Sequence, residues 1–355
     1  MKPLLGILTL VLCSGFLWAE SEPKFDPLPA PISNSAITSV KVSGHVLVFS
    51  FMGMGANRTW DAITNSAYAL NTSYGKWSEI RQVPGAVGRI GAAAAGLREQ
   101  AFLLGGFVVD AQGGETAISS VEVYDPINRK WYRVPDLPEP VADTVVGVYR
   151  DRYIYLVGGW SASGAVNAVQ IYDVEKEKWL QGTAIPGEPV FGHAGTIVGD
   201  TIISVDGARK SPSPGQPSYI ASQDCWMGRI DHKDPTKIEW TKLPEHPGTA
   251  RFHIAVGGSE KDGRIYFSGG SDLPYDFKGV GLDGKPVEPS ALTFAYNLRA
   301  GKWESIHENT PNPVLDSRYV LVTPEKLAIL GGMEKGQVTA RVNEIAKTAK
   351  TAKTK

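Results

Sequence analysis

A tryptophan recurring at Trp77, Trp131, Trp179, Trp240 and Trp303, at intervals of 54, 48, 61 and 63 residues, restricts what this chain can fold into more than any other feature. A second marker keeps step with it. Glycine doublets stand at Gly105-Gly106, Gly158-Gly159, Gly269-Gly270 and Gly331-Gly332, with Asp206-Gly207 and Gly53-Met54-Gly55 in the equivalent places. Residues 121 to 160 hold one full copy of the unit. It runs through a strand ending in Tyr124-Asp125, a turn at Pro126-Ile127-Asn128, a strand opened by Trp131 and a proline-rich crossing at Leu137-Pro138-Glu139-Pro140. Strands over 143–149 and 153–157 follow, closed by Gly158-Gly159. Four short strands repeated about every 50 residues specify a β-propeller rather than a sandwich.

Counting units gives six blades, over residues 36–80, 89–134, 143–180, 193–241, 251–305 and 318–345. Phe25, 52 residues before Trp77, is read in the tryptophan's place, so that residues 25–28 supply the outer strand of blade six and clasp the two ends of the chain. Such closure leaves no open sheet edge. The inner strands, such as Ala92 to Ala95 and Tyr153 to Val157, are continuous apolar or small runs. That pattern fits strands buried on both faces between blades. The tyrosines and tryptophans of the repeat are assigned to packing.

The expected fold is all-β: one six-bladed propeller over residues 20–345, preceded by a signal peptide at 1–19 and followed by a basic, disordered tail at 346–355. Lys2, the apolar run from Leu4 to Leu17 and Trp18-Ala19 have the layout of a secretory signal, too short for a membrane span. Its removal would leave Cys225 as the single cysteine, so no internal disulfide forms, which suits a periplasmic or secreted protein with a core large enough to dispense with one. A formal net charge of −1 gives no basic excess for nucleic acid. Lys347, Lys350, Lys353 and Lys355, spaced by Ala and Thr, mark a low-complexity end.

The doublet, then a tyrosine, then a tryptophan, in six units, resembles the Kelch propellers over roughly residues 25 to 345. That resemblance implies fold, while function is left to the loops. The galactose oxidases, secreted Kelch enzymes, use a copper site with a cysteine-crosslinked tyrosine, and Cys225 in Asp224-Cys225-Trp226-Met227 has no matching set around it. The bacterial sialic-acid mutarotases are more similar in export signal, length, blade count and the long loops 208–223 and 271–290. Their Gly-Glu-Ala-Lys segment, which brings a glutamate to the sugar, corresponds here to Gly207-Ala208-Arg209-Lys210, with Ala208 in the glutamate's position.

Loops between strands two and three, and those leading into the next blade, open on one face around the channel. Polar residues just ahead of apolar inner strands (Arg89, Asp143, His193, Arg251, Arg318) are expected to point into its mouth. Arg58, Arg89, Arg251 and Arg318 together would suit a carboxylate, because guanidinium binds it through two hydrogen bonds. Trp60, Trp160 and Tyr275 offer faces on which sugar rings stack, with Asp143 and Asp272 beside them. Mutarotation needs a base for the anomeric hydroxyl and an acid near the ring oxygen. His193 and Asp206, at the two ends of one hairpin, are assigned that pair, with Arg209 as electrostatic support. No cofactor is called for. Asp272, Asp276 and Asp283 lack calcium-loop spacing, so no metal is assigned. The expected ligand is a free, acidic sugar or a glycan; the alternative is a non-catalytic module whose loop face docks a protein or polysaccharide.

Overall fold

Each glycine doublet ends or interrupts the second strand of a blade, as the repeat requires. The computed structural model describes residues 22–85, 87–213, 217–282 and 284–347. Among them five four-stranded antiparallel sheets and one three-stranded sheet form the six blades, and no α-helix is present. The first strands line the channel: Ala36–Val42, Ala93–Leu97, Val145–Tyr149, Ala194–Val198, Ala255–Ser259 and Val320–Val322. Six apolar clusters fill the gaps between neighbouring blades. One, for example, joins Phe49 and Phe51 of blade one to Leu103 and Tyr124 of blade two. The core is therefore divided among the seams rather than gathered at one centre.

Close approach explains the small residues of the inner strands. A Cβ added at Gly257 would lie 1.9 Å from the Val320 carbonyl oxygen of the next blade, and one at Gly96 would lie 2.1 Å from that of Ser39. The repeat's markers also sew the blades together. The indole N–H groups of Trp131, Trp179, Trp240 and Trp303 donate to the carbonyls of Arg81, Pro135, Thr183 and Pro244 in the preceding blade, at 2.8 to 3.0 Å. The second doublet residues Gly106, Gly207, Gly270 and Gly332 donate backbone N–H to Val141, Arg251, Val314 and Ile32 of the following blade.

The last of these bonds, Gly332 to Ile32 at 2.8 Å, joins blade six to blade one. The N-terminal segment closes the ring beside the strand Val342–Ala346, through Leu28 N–H to the Ala340 carbonyl and Phe25 N–H to the Glu344 carboxylate, both 2.8 Å. Its register differs from expectation by three residues. Each repeat tryptophan bonds a carbonyl four residues beyond the previous tryptophan, and Trp77 bonds that of Asp26. Phe25 thus takes the place of Val134, at the end of a fourth strand, and Leu28 that of Leu137. Phe25 is buried in the seam between blades six and one.

The proposed signal at 1–19 and the tail from residue 348 lie outside the described residues. Ala346 ends the last strand, and Lys347 reaches Asp262 at 2.5 Å and the Thr323 carbonyl at 2.8 Å. Among the described residues no helix is long and apolar enough to cross a membrane.

Candidate functional site

The six lead-ins to the first strands share one conformation. Asn34, Gly91, Asp143, Gly192, His253 and Asp316 occupy equivalent positions, and all have φ between +52° and +64°. Glycine adopts this region freely, and Asn, Asp and His tolerate it better than most residues. Backbone bonds run around the ring, from Asn34 N–H to the Asp316 carbonyl, Asp143 to Gly91, Gly192 to Asp143 and His253 to Gly192. Four polar side chains, those of Asn34, Asp143, His253 and Asp316, are thereby gathered at the mouth of the channel.

Arg318 ties them together. It stands where the other five blades carry Ala36, Ala93, Val145, Ala194 and Ala255, so its long side chain has the channel to itself. The guanidinium forms an ion pair with Asp143 and donates to His253 Nε2 at 2.9 Å, with Asn34 Oδ1 at 3.4 Å. Guanidinium has no acceptor, so His253 Nε2 must be bare and the ring proton sits on Nδ1, which donates to Asp316 at 2.8 Å. Burial alone would raise the Asp143 acid, but the Arg318 guanidinium beside it holds it well below the usual carboxylate range. This cluster separates the channel, a cavity of about 230 Å³, from an outer pocket of about 200 Å³.

The outer pocket is walled by aromatic rings. Trp160, Phe191 and Tyr219 pack edge to face or tilted on one side, with centroids 4.7 to 5.6 Å apart. Phe252 and Tyr275 continue the wall, and Phe107 faces them. The blade-five loop, 271–290, provides the cover. Its Phe277 packs on the cluster of Met54, Ile90 and Phe107 from blades one and two, and Arg58 of blade one donates to the Lys278 carbonyl at 2.8 Å. Glu115, on the hairpin Phe107–Val109/Glu115–Ala117, stands opposite Asp276 of this loop. Glu115 is exposed at the pocket's rim, and partial burial of its carboxyl, with Asp143 and Asp276 nearby, pushes its acid up to about 7. Burial likewise pushes the Tyr275 phenol well above its ordinary value. Its hydroxyl has no hydrogen-bond partner among the described residues.

Of the residues expected at the site, Asp143, Trp160, Tyr275 and Arg318 meet here. The others do not. Arg89 and Arg251 stand two residues earlier in the lead-in than the ring position, where the other blades carry Ile32, Val141, Val190 and Val314. Both are accordingly buried in the seams. Arg89 is paired with Glu122 and bonded to the Gly105 carbonyl. Arg251 has Nε without a partner, and its guanidinium is depressed by burial against the pull of Asp206 and Asp272. Arg58 is spent on the lid, and Trp60 lies 46% exposed on a short 3-10 turn. Asp272 is exposed. The expected carboxylate-binding ring of arginines is therefore not assembled.

The His193–Asp206 pair is not assembled either. His193 lines the channel with Nε2 at 2.8 Å from the Val157 carbonyl, its conjugate acid lowered to about 4 by burial. Asp206, raised by burial, is bound instead to His246 Nε2 at 2.7 Å and to Arg251 N–H at 2.8 Å. Arg209 pairs with Glu188 at 2.9 Å away from the mouth, and Ala208 is fully buried. Asp316, Glu115 and Asn34 were not singled out from the sequence. Aligning the lead-ins Ile32-Ser33-Asn34, Arg89-Ile90-Gly91, Val141-Ala142-Asp143, Val190-Phe191-Gly192, Arg251-Phe252-His253 and Val314-Leu315-Asp316 exposes the ring position. Glu115 gives no comparable signal. Among the described residues no group of three or more His, Cys, Asp or Glu could hold a metal ion; Asp283 lies outside them.

Comparison with known proteins agrees with the repeat. The Kelch motif matches residues 88–138 and 145–184. Human Kelch-like protein 15 is 30% identical over 239 residues, 65% of this chain and 37% of its own length. The Kelch-like protein terF of Aspergillus terreus is 26% identical over 68% of this chain and 49% of its own length. Chicken Kelch-like protein 15 is 32% identical over 115 residues, 23% of its length. The chain thus spans less than half the length of these curated relatives. Among solved structures, that titled "Structure of YjhT" superposes with a TM-score of 0.70 over 93% of this chain and 98% of that one, at 17% identity, a likeness of fold.

Proposed function

We propose that this chain, a six-bladed Kelch-repeat propeller, binds a free sugar in the pocket at its channel mouth and exchanges the sugar's anomers there. The observation that carries the reading is the pocket itself, about 200 Å³ with aromatic faces for walls, carboxylates at its edges and a loop from blade five across it. Sugar rings present apolar faces to aromatics and hydroxyl edges to acids, and a concave apolar site with a few converging polar groups is the usual form of a small-molecule site.

The chemistry falls to Glu115. Its carboxyl has no hydrogen-bond or ion-pair partner among the described residues, and an acid near 7 is matched to proton transfer at neutral pH. Exchange requires that O1–H be deprotonated as the ring oxygen is protonated. The C1–O5 bond then breaks to give the open-chain aldehyde, and reclosure on the other face returns both protons, so no outside reagent is consumed. His253 cannot serve as the base, because its Nε2 already accepts from Arg318. We place this activity in a periplasm or outside the cell, on the strength of the apolar run from Leu4 to Leu17.

Proton NMR of freshly dissolved hexoses tests both parts. Faster anomer exchange with protein, abolished in Glu115→Gln, is expected. Line broadening without faster exchange would leave binding alone, and neither effect would remove the reading.

A second reading has its own support. Trp60, Val87, Leu273 and Leu282 are 46%, 59%, 49% and 47% exposed on loops of the mouth side, and Kelch propellers commonly mediate protein interactions. A protein or polysaccharide docked on this rim would cover the pocket instead of filling it.

A further inference from the structure

We propose that the mouth pocket takes a ligand carrying an ammonium group, so that among sugars an amino sugar is preferred over a neutral or acidic one. This rests on the reading of the pocket as a small-molecule site and names its substrate class. Four carboxylates line it: Glu115, Asp143, Asp276 and Asp316. The fixed positive charge on them is that of Arg318, committed to Asp143. Asp316 receives an N–H from His253, whose other nitrogen accepts from Arg318. Glu115 and Asp276 have no ion-pair partner among the described residues, so the pocket holds more negative than positive charge.

The walls suit a cation equally well. Aromatic faces attract ammonium groups through the ring quadrupole, and more strongly where water is excluded. An ammonium already rests against the lid from outside, with Lys278 Nζ 5.4 Å from the Phe277 ring centroid. Inside, the Tyr275 ring is buried in the aromatic wall, its hydroxyl beside the Asp316 carboxylate. A sugar carboxylate would meet Glu115 and Asp276 with no free guanidinium to receive it, since Arg89 and Arg251 are buried in the seams and Arg58 holds the lid.

The test is calorimetric titration of the full chain, at neutral pH and fixed salt, with glucosamine, glucose, glucuronate and tetramethylammonium. Glucosamine should bind roughly tenfold tighter than glucose, with glucuronate weakest. In Glu115→Gln and Asp276→Asn the advantage of glucosamine over glucose should shrink; both residues are exposed, Glu115 on the hairpin strand Glu115–Ala117 and Asp276 in the blade-five loop, and circular dichroism checks that each variant is folded. Tetramethylammonium, whose charge does not titrate, should bind better as pH rises from about 6 to about 8, and Glu115→Gln should flatten that rise. His253, Asp143, Asp276, Asp316 and Tyr275 face the same space, with Arg318 beneath them and Lys278 on the lid, and the variant isolates Glu115 among them. Glucose or glucuronate binding as well as glucosamine would overturn the ammonium preference and leave the sugar site standing. Tetramethylammonium binding with no sugar binding would support the ammonium site and overturn the sugar reading, and no binding at all would overturn both.

Discussion

Arg318 and Asp143 join opposite blades of the ring. One leads into the first strand of blade six and the other into that of blade three, and their ion pair crosses the channel with side chains 17% and 9% exposed. In a six-fold ring this is the longest bridge that can be made, and it lies directly beneath the candidate ligand.

Removing one partner strands the other. Arg318→Ala leaves Asp143 charged and buried, so it should cost about 3–5 kcal/mol, the range for a broken buried pair. Denaturant unfolding measures this, and a loss under about 1 kcal/mol would show that water replaces the guanidinium. The pair also sets an acid limit. Because Asp143 is held below its usual range, its contribution is complete above about pH 4 and falls away as pH drops further. Acid unfolding of Asp143→Asn should therefore show a shallower slope than the parent.

Glu115 carries the opposite sign. Its acid lies near 7 in the folded chain and lower when unfolded, so ionising it costs stability as pH climbs from about 4.5 towards 7. Glu115→Gln should raise the melting temperature at pH 8 and leave it nearly unchanged at pH 5. Equal gains at both would mean that this carboxyl is not perturbed.

Arg89 separates structural from ligand-facing arginines. Its pairing with Glu122, at 5% and 8% side-chain exposure, is a buried contact like that of Arg318. Arg89→Ala should destabilise by about 3–5 kcal/mol. Sugar affinity, measured on the fraction still folded, should not change, and a selective loss of affinity would put Arg89 back at the mouth.

Phe25 seals the seam between the ends of the chain. It is 4% exposed against Leu28, Leu321 and Leu330. Phe25→Ala should cost about 3–5 kcal/mol. Limited proteolysis should then cut first near residues 22–32; unchanged resistance there would show that the backbone bonds to blade six suffice.

The repeat made the blades legible because each marker has a mechanical task that does not vary. The tryptophan needs a carbonyl in the preceding blade and the second glycine needs one in the next. Function lay elsewhere. Arg89, Asp143, His193, Arg251 and Arg318 look alike as polar residues ahead of apolar strands, yet they occupy four different registers, and a shift of two residues moves a side chain from the channel to a seam. Trp160 and Tyr275 reach the pocket while Trp60, expected beside them, stays exposed, and nothing in the sequence separates the three. Glu115 was not legible, since its meeting with Asp276 depends on a blade-five loop reaching across the ring to blades one and two.

The bond from Phe25 to Glu344 spans 319 positions of sequence. During synthesis the segment that completes blade six is made long before the strand it lies against, so blade one must wait with its outer flank uncovered until translation nears its end. The sixth seam is then the slowest to form, since pairings this distant in sequence pay their entropy before any reward. A chain that stops short of Glu344 has no acceptor for the Phe25 N–H, and its ring stays open at that seam.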